Sequence, residues 1–339
     1  MKAVILCAGL GTRLRPYTEN RAKPAIDFMS LPMLAYSLYP LEKLGIEQFL
    51  INTHHAPESV ETTVKDLLPT DQFLLSHEPE ILGSAGAIAK VKHHLLKSGP
   101  YIVSNGDTVN LFADNNPLEH LIERVQSKDE YASLLLMEHP EAGKSLSAAW
   151  LDQHGNICGF GKKSPVGNAK PFHFLGTIAF AERSLEDMPL KFSNTLTDVI
   201  MPAIDRGERV SGLIANEVIN GETGNIHDYL TFQKVCADEL SKNTPTGHYL
   251  RNVIQHYFPS FQWIDSVEAQ RNNIPLTPGS RMGMHDTSQL TFGSSSHLTG
   301  TILIGPNCHL EINGSLENVS IMSRTEKKIE TDMENCIIL

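Results

Sequence analysis

Short apolar runs alternate with amphipathic stretches along the first 140 residues of the chain. The runs have the length of buried strands, and the stretches between them place apolar residues on one helical face. The predicted strands are Lys2–Cys7, Gln48–Asn52, Gln72–Ser76, Tyr101–Ser104 and Tyr131–Met137, and the predicted helices are Pro32–Leu44, Pro57–Leu68, Ser84–Lys97 and Leu118–Gln126. This alternation predicts an α/β protein with a Rossmann-like, mostly parallel sheet and helices on both faces.

From Ala148 the alternation gives way to closely spaced strands. Two short apolar segments, Ala149–Leu151 and Ile157–Phe160, flank turn-forming residues and indicate a hairpin. The later predicted elements are the strands Phe172–Phe180 and Val210–Ala215 and the helices Leu196–Asp205 and His227–Leu240. We expect these antiparallel pieces to form a lobe that closes over the parallel sheet.

Near the C-terminus apolar residues recur every six positions, a period that fits neither a helix nor an ordinary strand. The recurring residues are Phe292, Leu298, Ile304, Leu310, Leu316 and Met322. This period is typical of a left-handed β-helix of hexapeptide repeats, in which three hexads complete one triangular coil. So few coils need support from a neighbour, and a homo-oligomer formed through this segment would supply it.

Length and composition set the organisation and exclude some partners. The 339 residues predict a first domain over 1–240, a linker and unassigned region over 241–280, and a short hexapeptide β-helix-like domain over 281–339. The formal charge of -11, without a broad basic stripe, argues against nucleic acid as the main partner. No apolar run approaches the roughly 18 residues that span a membrane. Five widely separated cysteines indicate reduced thiols in a cytoplasmic protein.

The main chemical signal is the stretch 6–24, directly behind the first predicted strand. Residues 1–24 hold five basic side chains and one acidic side chain. Gly9 and Gly11 let backbone N–H groups approach an anion, whose charge the basic groups neutralise. A Walker A loop is excluded because Thr12-Arg13 follows the second glycine, and a dinucleotide fingerprint because Leu14 replaces the third glycine. The stretch therefore predicts a polyphosphate site.

The run Ala8–Leu14, followed by Pro16, Thr18 and Lys23-Pro24, resembles the signature of the sugar-phosphate nucleotidyltransferases, which make nucleotide sugars. The resemblance covers about residues 2–235, and it implies that a nucleoside triphosphate (NTP) and a sugar 1-phosphate react to release pyrophosphate. It also implies that Arg13 holds the leaving phosphates and that Lys23 holds the reacting centre. The implied nucleotide-binding residues are Leu6, Ala8, Gly9, Gly11, Thr12, Arg13, Glu78, Gly83 and Ser84.

The same resemblance implies a magnesium site. Asp107 follows Asn105-Gly106 at a predicted strand end, where a carboxylate is a hard oxygen ligand suited to Mg²⁺. The family has its first metal aspartate in this motif, so Asp107 is implied as a catalytic residue and a metal ligand. The second family ligand matches Glu222, where glutamate replaces aspartate, and Asp228 is the reserve candidate.

The substrates are predicted from three further segments. Residues 82–87 resemble the family's nucleobase segment, and the carboxylate of Glu78 before it can accept from guanine N1–H and the amino group together, which favours GTP. Lys163 matches the family lysine at the sugar phosphate, and Gly176 matches the glycine of a sugar-reading Asn-x-Gly segment. Phe174 replaces that asparagine, which disfavours an N-acetylhexosamine. Mannose 1-phosphate is favoured, with glucose 1-phosphate and heptose 1-phosphate as alternatives.

Two functions of other kinds remain open. A relative that transfers cytidylyl to phosphocholine shares the opening motif. A non-catalytic regulatory homologue would bind nucleotide sugar and pair with an active subunit, which the departures at positions 162, 174 and 222 favour. An aromatic box for choline would support the first alternative, but the chain has only two tryptophans. Against the second alternative, Arg13, Lys23 and Asp107 are intact.

Overall fold

The computed structural model describes residues 1–113, 117–127 and 130–339. The strands of the first 220 residues are β1 (Lys2–Leu6), β2 (Asp27–Phe28), β3 (Leu31–Pro32), β4 (Gln48–Thr53), β5 (Phe73–His77), β6 (Tyr101–Asn105), β7 (Asn110–Phe112), β8 (Ala132–Met137), β9 (Ala148–Leu151), β10 (Ile157–Gly161), β11 (Lys170–Phe180), β12 (Val210–Ile214) and β13 (Val218–Asn220). The later strands are β14 (Phe261–Asp265), β15 (Arg281–His285), β16 (Gln289–Phe292), β17 (His297–Ile304), β18 (His309–Ile312), β19 (Ser315–Ile321), β20 (Glu326–Ile329) and β21 (Met333–Ile338). The α-helices are α1 (Met33–Glu42), α2 (Pro57–Leu67), α3 (Gly83–Leu95), α4 (Leu118–Ser127), α5 (Met201–Asp205), α6 (Ile226–Ser241), α7 (Pro245–Tyr257) and α8 (Ser266–Arg271).

The chain forms two compact units. Unit 1 contains Met1–Leu10 and Tyr36–Asn220, and unit 2 contains Gly11–Ala35 and Gly221–Leu339. The division 1–240, 241–280 and 281–339 stays a prediction. Within the region that the sequence left unassigned, the structure has α7, β14 and α8.

Unit 1 is built on a nine-stranded sheet with β1 at its parallel centre. β1 pairs in parallel with β4 and β6, and β4 pairs in parallel with β5. Ala3, Val4 and Ile5 are at most 1% exposed, as expected for a strand covered on both faces. This sheet confirms the predicted α/β class with a parallel-dominated core.

The strands after Ala148 join this sheet, so the expectation of a separate closing lobe is wrong. β11 runs antiparallel between β6 and β8, and β12 pairs in parallel with β8. β9 and β10 extend the sheet beyond the first half of β11. The reason lies in β11, whose residues 175–180 are all buried and can therefore occupy the interior of a sheet.

Unit 2 carries two ladders of parallel strands. One contains β15, β17, β19 and β21, with β14 added antiparallel at its end, and the other contains β16, β18 and β20. Leu298 pairs with Leu316, and Leu316 with Met333, so each rung repeats after about three hexads. Of the residues that recur every six positions, Leu298, Ile304, Leu310, Leu316 and Met322 are at most 4% exposed.

One corner of these ladders repeats with the same backbone conformation. Gly300, Asn318 and Asn335 stand at matching positions and have φ values of 73°, 51° and 48°. Glycine and asparagine are the residues that adopt this left-handed conformation most readily. The Asn318 side-chain amide also donates to Asn335 Oδ1 at 3.3 Å, which joins neighbouring corners.

His285 on β15 is fully buried in unit 2. Its Nε2 donates to the Ser30 backbone oxygen at 3.2 Å, and the rings of Phe258 and Phe261 lie 4.8 and 5.3 Å from its ring centre. Burial lowers the pKa of His285 to about 4, although the Ser30 oxygen and the Asp286 charge act in the opposite direction. The imidazole is therefore neutral in the folded protein at neutral pH.

We expect His285 to contribute to acid destabilisation. The unfolded chain binds a proton at His285 below pH 6.5, whereas the folded protein does not until about pH 4, so stability is lost as the pH falls through this window. The loss from this group is at most about 3 kcal/mol. In urea unfolding, the free energy of unfolding should decrease less between pH 7 and pH 4.5 for His285→Gln than for the unmodified protein. An equal decrease in both would contradict the assignment.

Candidate active site

The carboxyl ends of β1, β4 and β6 lie side by side in unit 1. Leu6 is in register with Asn52 on one side and with Asn105 on the other. Ser37 Oγ donates to the Asn105 backbone oxygen at 2.7 Å and fixes that strand end. Ligands of such sheets bind beyond these ends, so Leu6 lies where a nucleotide is expected.

A buried hydrogen-bond network links two segments that the sequence assigned to the nucleotide. Asn52 Oδ1 accepts from the Cys7 backbone N–H at 2.6 Å, and Asn52 Nδ2 donates to Glu78 Oε1 at 2.8 Å. The other Glu78 oxygen accepts from the Leu82 backbone N–H at 2.9 Å. Glu78 is fully buried, and both of its carboxylate oxygens are engaged. Direct contact of Glu78 with guanine therefore stays a prediction, while its present contacts hold the loop after β1 and the start of α3.

The turn after β6 packs on the end of β1. The Gly106 N–H donates to the Leu6 oxygen at 2.9 Å, and a side chain at Gly106 would overlap Cys7 Sγ. Burial, and after it the charge of Asp107, raise the pKa of the Cys7 thiol. Because Gly106 packs directly on Leu6 and Cys7, Asp107, which follows it, lies close to the beginning of the predicted phosphate loop. Asp107 itself is partly exposed.

A cavity of about 420 Å³ opens in unit 1 at this edge of the sheet. It brings together three residues that were predicted separately, Leu6, Ser84 and Gly176. The sequence did not predict the part of the lining that comes from residues 194–197, which begin a turn of π-helix, Thr195–Ile200. The only signal there was a run of small polar residues. The full lining is Leu6, Ser84, Val103, Asn105, Phe174, Gly176, Ile178, Asn194, Thr195, Leu196 and Thr197.

Small residues at the start of α3 let it approach this lining closely. Gly83 has φ +70°, and a methyl group on it would overlap the Ser193 backbone oxygen. The Ala85 N–H donates to that same oxygen at 3.0 Å. Ser84 Oγ accepts from the Thr195 N–H at 2.8 Å. The Gly83–Ser84 pair therefore sets the position of one wall of the cavity.

Gly176 lies in an irregular part of β11, where the pairing with β8 shifts register between Phe174 and Ile178. Its φ is +81°, and a methyl group there would lie 3.0 Å from both Asn105 Nδ2 and Thr108 Oγ1. This bulge turns the Gly176 backbone toward the end of β6. Lys163, by contrast, is exposed between β10 and β11 and is not among the residues that line the cavity.

Arg13 and Lys23, the cations predicted to act on the nucleotide phosphates, lie in unit 2. Gly11 has φ +59°, and its oxygen accepts from Thr18 Oγ1 at 2.8 Å, which closes the loop. Arg13 is exposed, and a methyl group on Gly224 would lie 3.0 Å from its Cζ, so the guanidinium rests on the Gly224 backbone. Lys23 begins a short 3₁₀ turn, Lys23–Ala25, and is partly buried.

The two candidates for the second metal ligand differ in their surroundings. Glu222 is exposed ahead of α6. The reserve candidate Asp228 caps that helix with Asn225: its N–H donates to Asn225 Oδ1 at 3.0 Å, and its Oδ2 accepts from Asn225 Nδ2 at 2.6 Å. Asp228 is thus already engaged in the helix cap, whereas Glu222 is exposed and lies ahead of that cap.

Across residues 1–113, 117–127 and 130–339, no three histidine, cysteine, aspartate or glutamate side chains are grouped so that they could hold a metal ion. Within the same part of the chain, every helix is too short or too polar to cross a membrane.

Known proteins match most of this chain. A model of the nucleotidyl transferase family matches residues 2–239. A curated relative, mannose-1-phosphate guanylyltransferase 1 of Arabidopsis thaliana, is 28% identical over 268 residues, which cover 75% of this chain and 71% of the relative.

Solved structures show the same fold. The UDP-glucose pyrophosphorylase from Acinetobacter baumanii aligns with a TM-score of 0.59 and 19% identity, over 75% of this chain and 98% of that one. The inositol-1-phosphate CTP transferase from T. maritima aligns with a TM-score of 0.57 and 16% identity, over 75% of this chain and 96% of that one. These names differ in both nucleotide and acceptor, so the fold alone does not decide either.

Proposed function

The chain belongs to the nucleotidyl transferase family and is an enzyme of the type that acts on sugar 1-phosphates, and from this premise we propose that it makes GDP-mannose from GTP and mannose 1-phosphate. The observation that carries the proposal is the cavity at the carboxyl ends of β1 and β6, which joins the predicted nucleotide residues Leu6 and Ser84 to the predicted sugar residue Gly176. The guanine and mannose assignments rest on the guanylyltransferase relatives.

The proposed chemistry needs no protein nucleophile. An ionised phosphate oxygen of mannose 1-phosphate attacks the α-phosphorus of GTP in line. The bond between that phosphorus and the oxygen that bridges to the β-phosphate breaks, and pyrophosphate leaves with the electron pair of this bond. Catalysis then consists of positioning and charge neutralisation. We assign Arg13 to the leaving phosphates, Lys23 to the reacting centre and Lys163 to the sugar phosphate. Glucose 1-phosphate and heptose 1-phosphate remain the alternative acceptors.

The residues present fit a requirement for Mg²⁺. Asp107 is a partly exposed carboxylate just after the end of β6, and Glu222 is an exposed carboxylate ahead of α6. Because Mg²⁺ keeps several waters and commonly binds substrate phosphates, one or two protein carboxylates suffice to hold it. When bound, the ion would neutralise phosphate charge. We therefore keep Asp107 and Glu222 as its proposed ligands.

Pyrophosphate release tests the proposal. Purified protein with Mg²⁺ is assayed with GTP, UTP, CTP and ATP against mannose, glucose and heptose 1-phosphates and against phosphocholine. We expect the highest kcat/KM with GTP and mannose 1-phosphate. CTP with phosphocholine as the best pair would support the cytidylyltransferase alternative. No turnover with any pair, together with tight binding of GDP-mannose in calorimetry, would support the non-catalytic regulatory alternative.

Replacement of Glu78 by glutamine separates base recognition from loop positioning. Asn52 Nδ2 and the Leu82 N–H bind different oxygens of Glu78, so a glutamine keeps an acceptor for only one of them. An unsatisfied buried donor costs about 1–3 kcal/mol. From the buried contacts of Glu78 we expect KM to rise about tenfold for GTP and UTP alike, which corresponds to such a loss. A change confined to GTP would show instead that Glu78 reads the base.

The matched control is Glu130→Gln. Glu130 is also a fully buried carboxylate of unit 1, where it accepts from Ser211 Oγ and lies 3.5 Å from Arg209 Nε. It is not among the residues that line the cavity. This variant should lose comparable stability in urea unfolding and keep the KM values of the unmodified enzyme.

We also propose that β15–β21 form a left-handed β-helix that makes up the domain 281–339 and mediates a homo-oligomer. The parallel ladders and the repeated corner at Gly300, Asn318 and Asn335 support the coil. Analytical ultracentrifugation tests the oligomer, because a monomer at all concentrations would refute this role.

A further inference from the structure

Asp27 is a buried carboxylate four residues after Lys23. It is 2% exposed, and burial raises the pKa of its carboxyl group. An acidic side chain is rarely placed in such surroundings unless its partners are fixed. The hydrogen-bond partners of Asp27 therefore indicate its role.

The turn that follows β19 binds Asp27 twice. The Ser323 N–H donates to Asp27 Oδ2, and the Asp27 N–H donates to Met322 Sδ at 3.3 Å. Gly305, at the end of β17, leaves room for the carboxylate, because a methyl group there would lie 2.9 Å from Asp27 Oδ2 and 2.5 Å from the Ser323 nitrogen. The turn is itself held, since Thr325 Oγ1 donates to the Met322 oxygen at 2.6 Å.

Helix α6 binds the hairpin formed by the antiparallel strands β2 and β3. The Tyr229 hydroxyl donates to the Asp27 backbone oxygen. Phe28 stacks on Phe232 with ring centres 5.1 Å apart and meets the edge of Tyr229 at 5.3 Å. The backbone N–H, the backbone oxygen and one carboxylate oxygen of Asp27 are therefore all bound by residues of 221–339.

The connection from Asp27 back to Lys23 is short and hydrogen bonded. The Ile26 N–H donates to the Lys23 oxygen at 3.0 Å, and the Ala25 N–H donates to the Ala22 oxygen at 2.9 Å. Pro24 fixes one backbone angle of this turn. A displacement of Asp27 is therefore transmitted to the backbone of Lys23.

We infer that Asp27 is a positioning residue through which the C-terminal strands hold Lys23 in its catalytic place. This inference rests on the proposed function, because it needs Lys23 to act at the reacting centre. The strands β15–β21 would then contribute to turnover without touching substrate. A misplacement of about 1 Å at a catalytic group lowers turnover by up to about a hundredfold.

A double-mutant cycle between Asp27 and Lys23 tests the inference. Asp27→Asn keeps the shape of the side chain and replaces one of its oxygens by an amide nitrogen, and we expect about a tenfold lower kcat with KM for GTP changed less. In the Lys23→Gln background, the same substitution should change the residual kcat by less than about twofold, because its effect passes through Lys23. An equal decrease in both backgrounds, or an unchanged kcat in the first, would overturn the inference.

Met322→Leu decides the question if Asp27→Asn does not fold. This volume-conserving change removes only the acceptor of the Asp27 N–H, and it should lower kcat about threefold in the unmodified background and not in Lys23→Gln. Thr246→Val is the control, since it removes a buried hydrogen bond of 2.6 Å to Glu239 elsewhere in unit 2 and should leave kcat unchanged. Absence of turnover in the unmodified enzyme would refute the proposed function itself, whereas equal effects of Met322→Leu in both backgrounds would refute only the inference.

Discussion

Arg13→Ala should lower kcat/KM for pyrophosphate release by about 10²–10³, the usual effect of removing one preorganised donor to a developing anion. The guanidinium is exposed and rests on the Gly224 backbone, so it is held in place without being part of the core. Its planar donors match phosphate oxygens bidentately, which a lysine cannot reproduce. The free energy of unfolding should change by no more than about 0.5 kcal/mol, as is usual for surface substitutions.

Two variants sharpen this experiment. Arg15→Ala removes an equally exposed cation from the same loop and should reduce activity far less, which separates a specific contact from general charge attraction. Gly224→Ala adds a methyl group 3.0 Å from Arg13 Cζ and should reduce activity by displacing the guanidinium. Equal losses for Arg13→Ala and Arg15→Ala, or an unfolded circular dichroism spectrum for Arg13→Ala, would contradict the assignment.

Gly83→Ala should impair both stability and nucleotide binding. The substitution forces a side chain into a left-handed conformation at φ +70°, which costs about 1–2 kcal/mol. The new methyl group would also overlap the Ser193 oxygen, so residues 193–195 must move and the bond between Ser84 Oγ and the Thr195 N–H is lost. We expect a total loss of about 3 kcal/mol and at least a roughly tenfold higher KM for GTP.

Gly45→Ala is the matched control for this prediction. Gly45 has nearly the same φ, +67°, but no atom of the described residues, its two chain neighbours apart, lies within 4 Å of the position that a methyl group would take. It should lose about 1–2 kcal/mol in urea unfolding, through backbone strain alone, and keep the KM for GTP. If Gly83→Ala and Gly45→Ala proved equivalent in both measurements, the wall formed by residues 193–195 would have no part in nucleotide binding.

The sequence predicted those parts of the fold whose signal is local. The apolar runs that became β1, β4 and β6 are buried on both faces, so their residues had to be apolar, and their ends mark the ligand edge. β11 was found as a strand, but its place between β6 and β8 was not, because partner choice depends on residues far apart in the chain. The same limit explains the wrong expectation of a closing lobe.

Within the site, residue type was predictable and surroundings were not. The glycines at 83 and 176 were recognised by motif, and the structure shows the neighbours that require them. Residues 194–197 carry no motif and no charge typical of phosphate binding, so the sequence did not indicate their place in the cavity. For Glu78 the residue type alone did not reveal its contacts. The sequence does not distinguish a carboxylate that binds guanine from one that accepts a hydrogen bond from Asn52.

The path of the chain between the two units limits how such an enzyme can be recombined. Residues 11–35 belong with 221–339, although they interrupt the segment that begins with β1. In a chimaera of two related enzymes joined near residue 240, the loop that carries Arg13 and Lys23 would come from one parent and the C-terminal strands from the other. Asp27 would then meet a foreign turn in place of Met322 and Ser323. Chimaeras of these enzymes should retain activity only when both stretches come from the same parent.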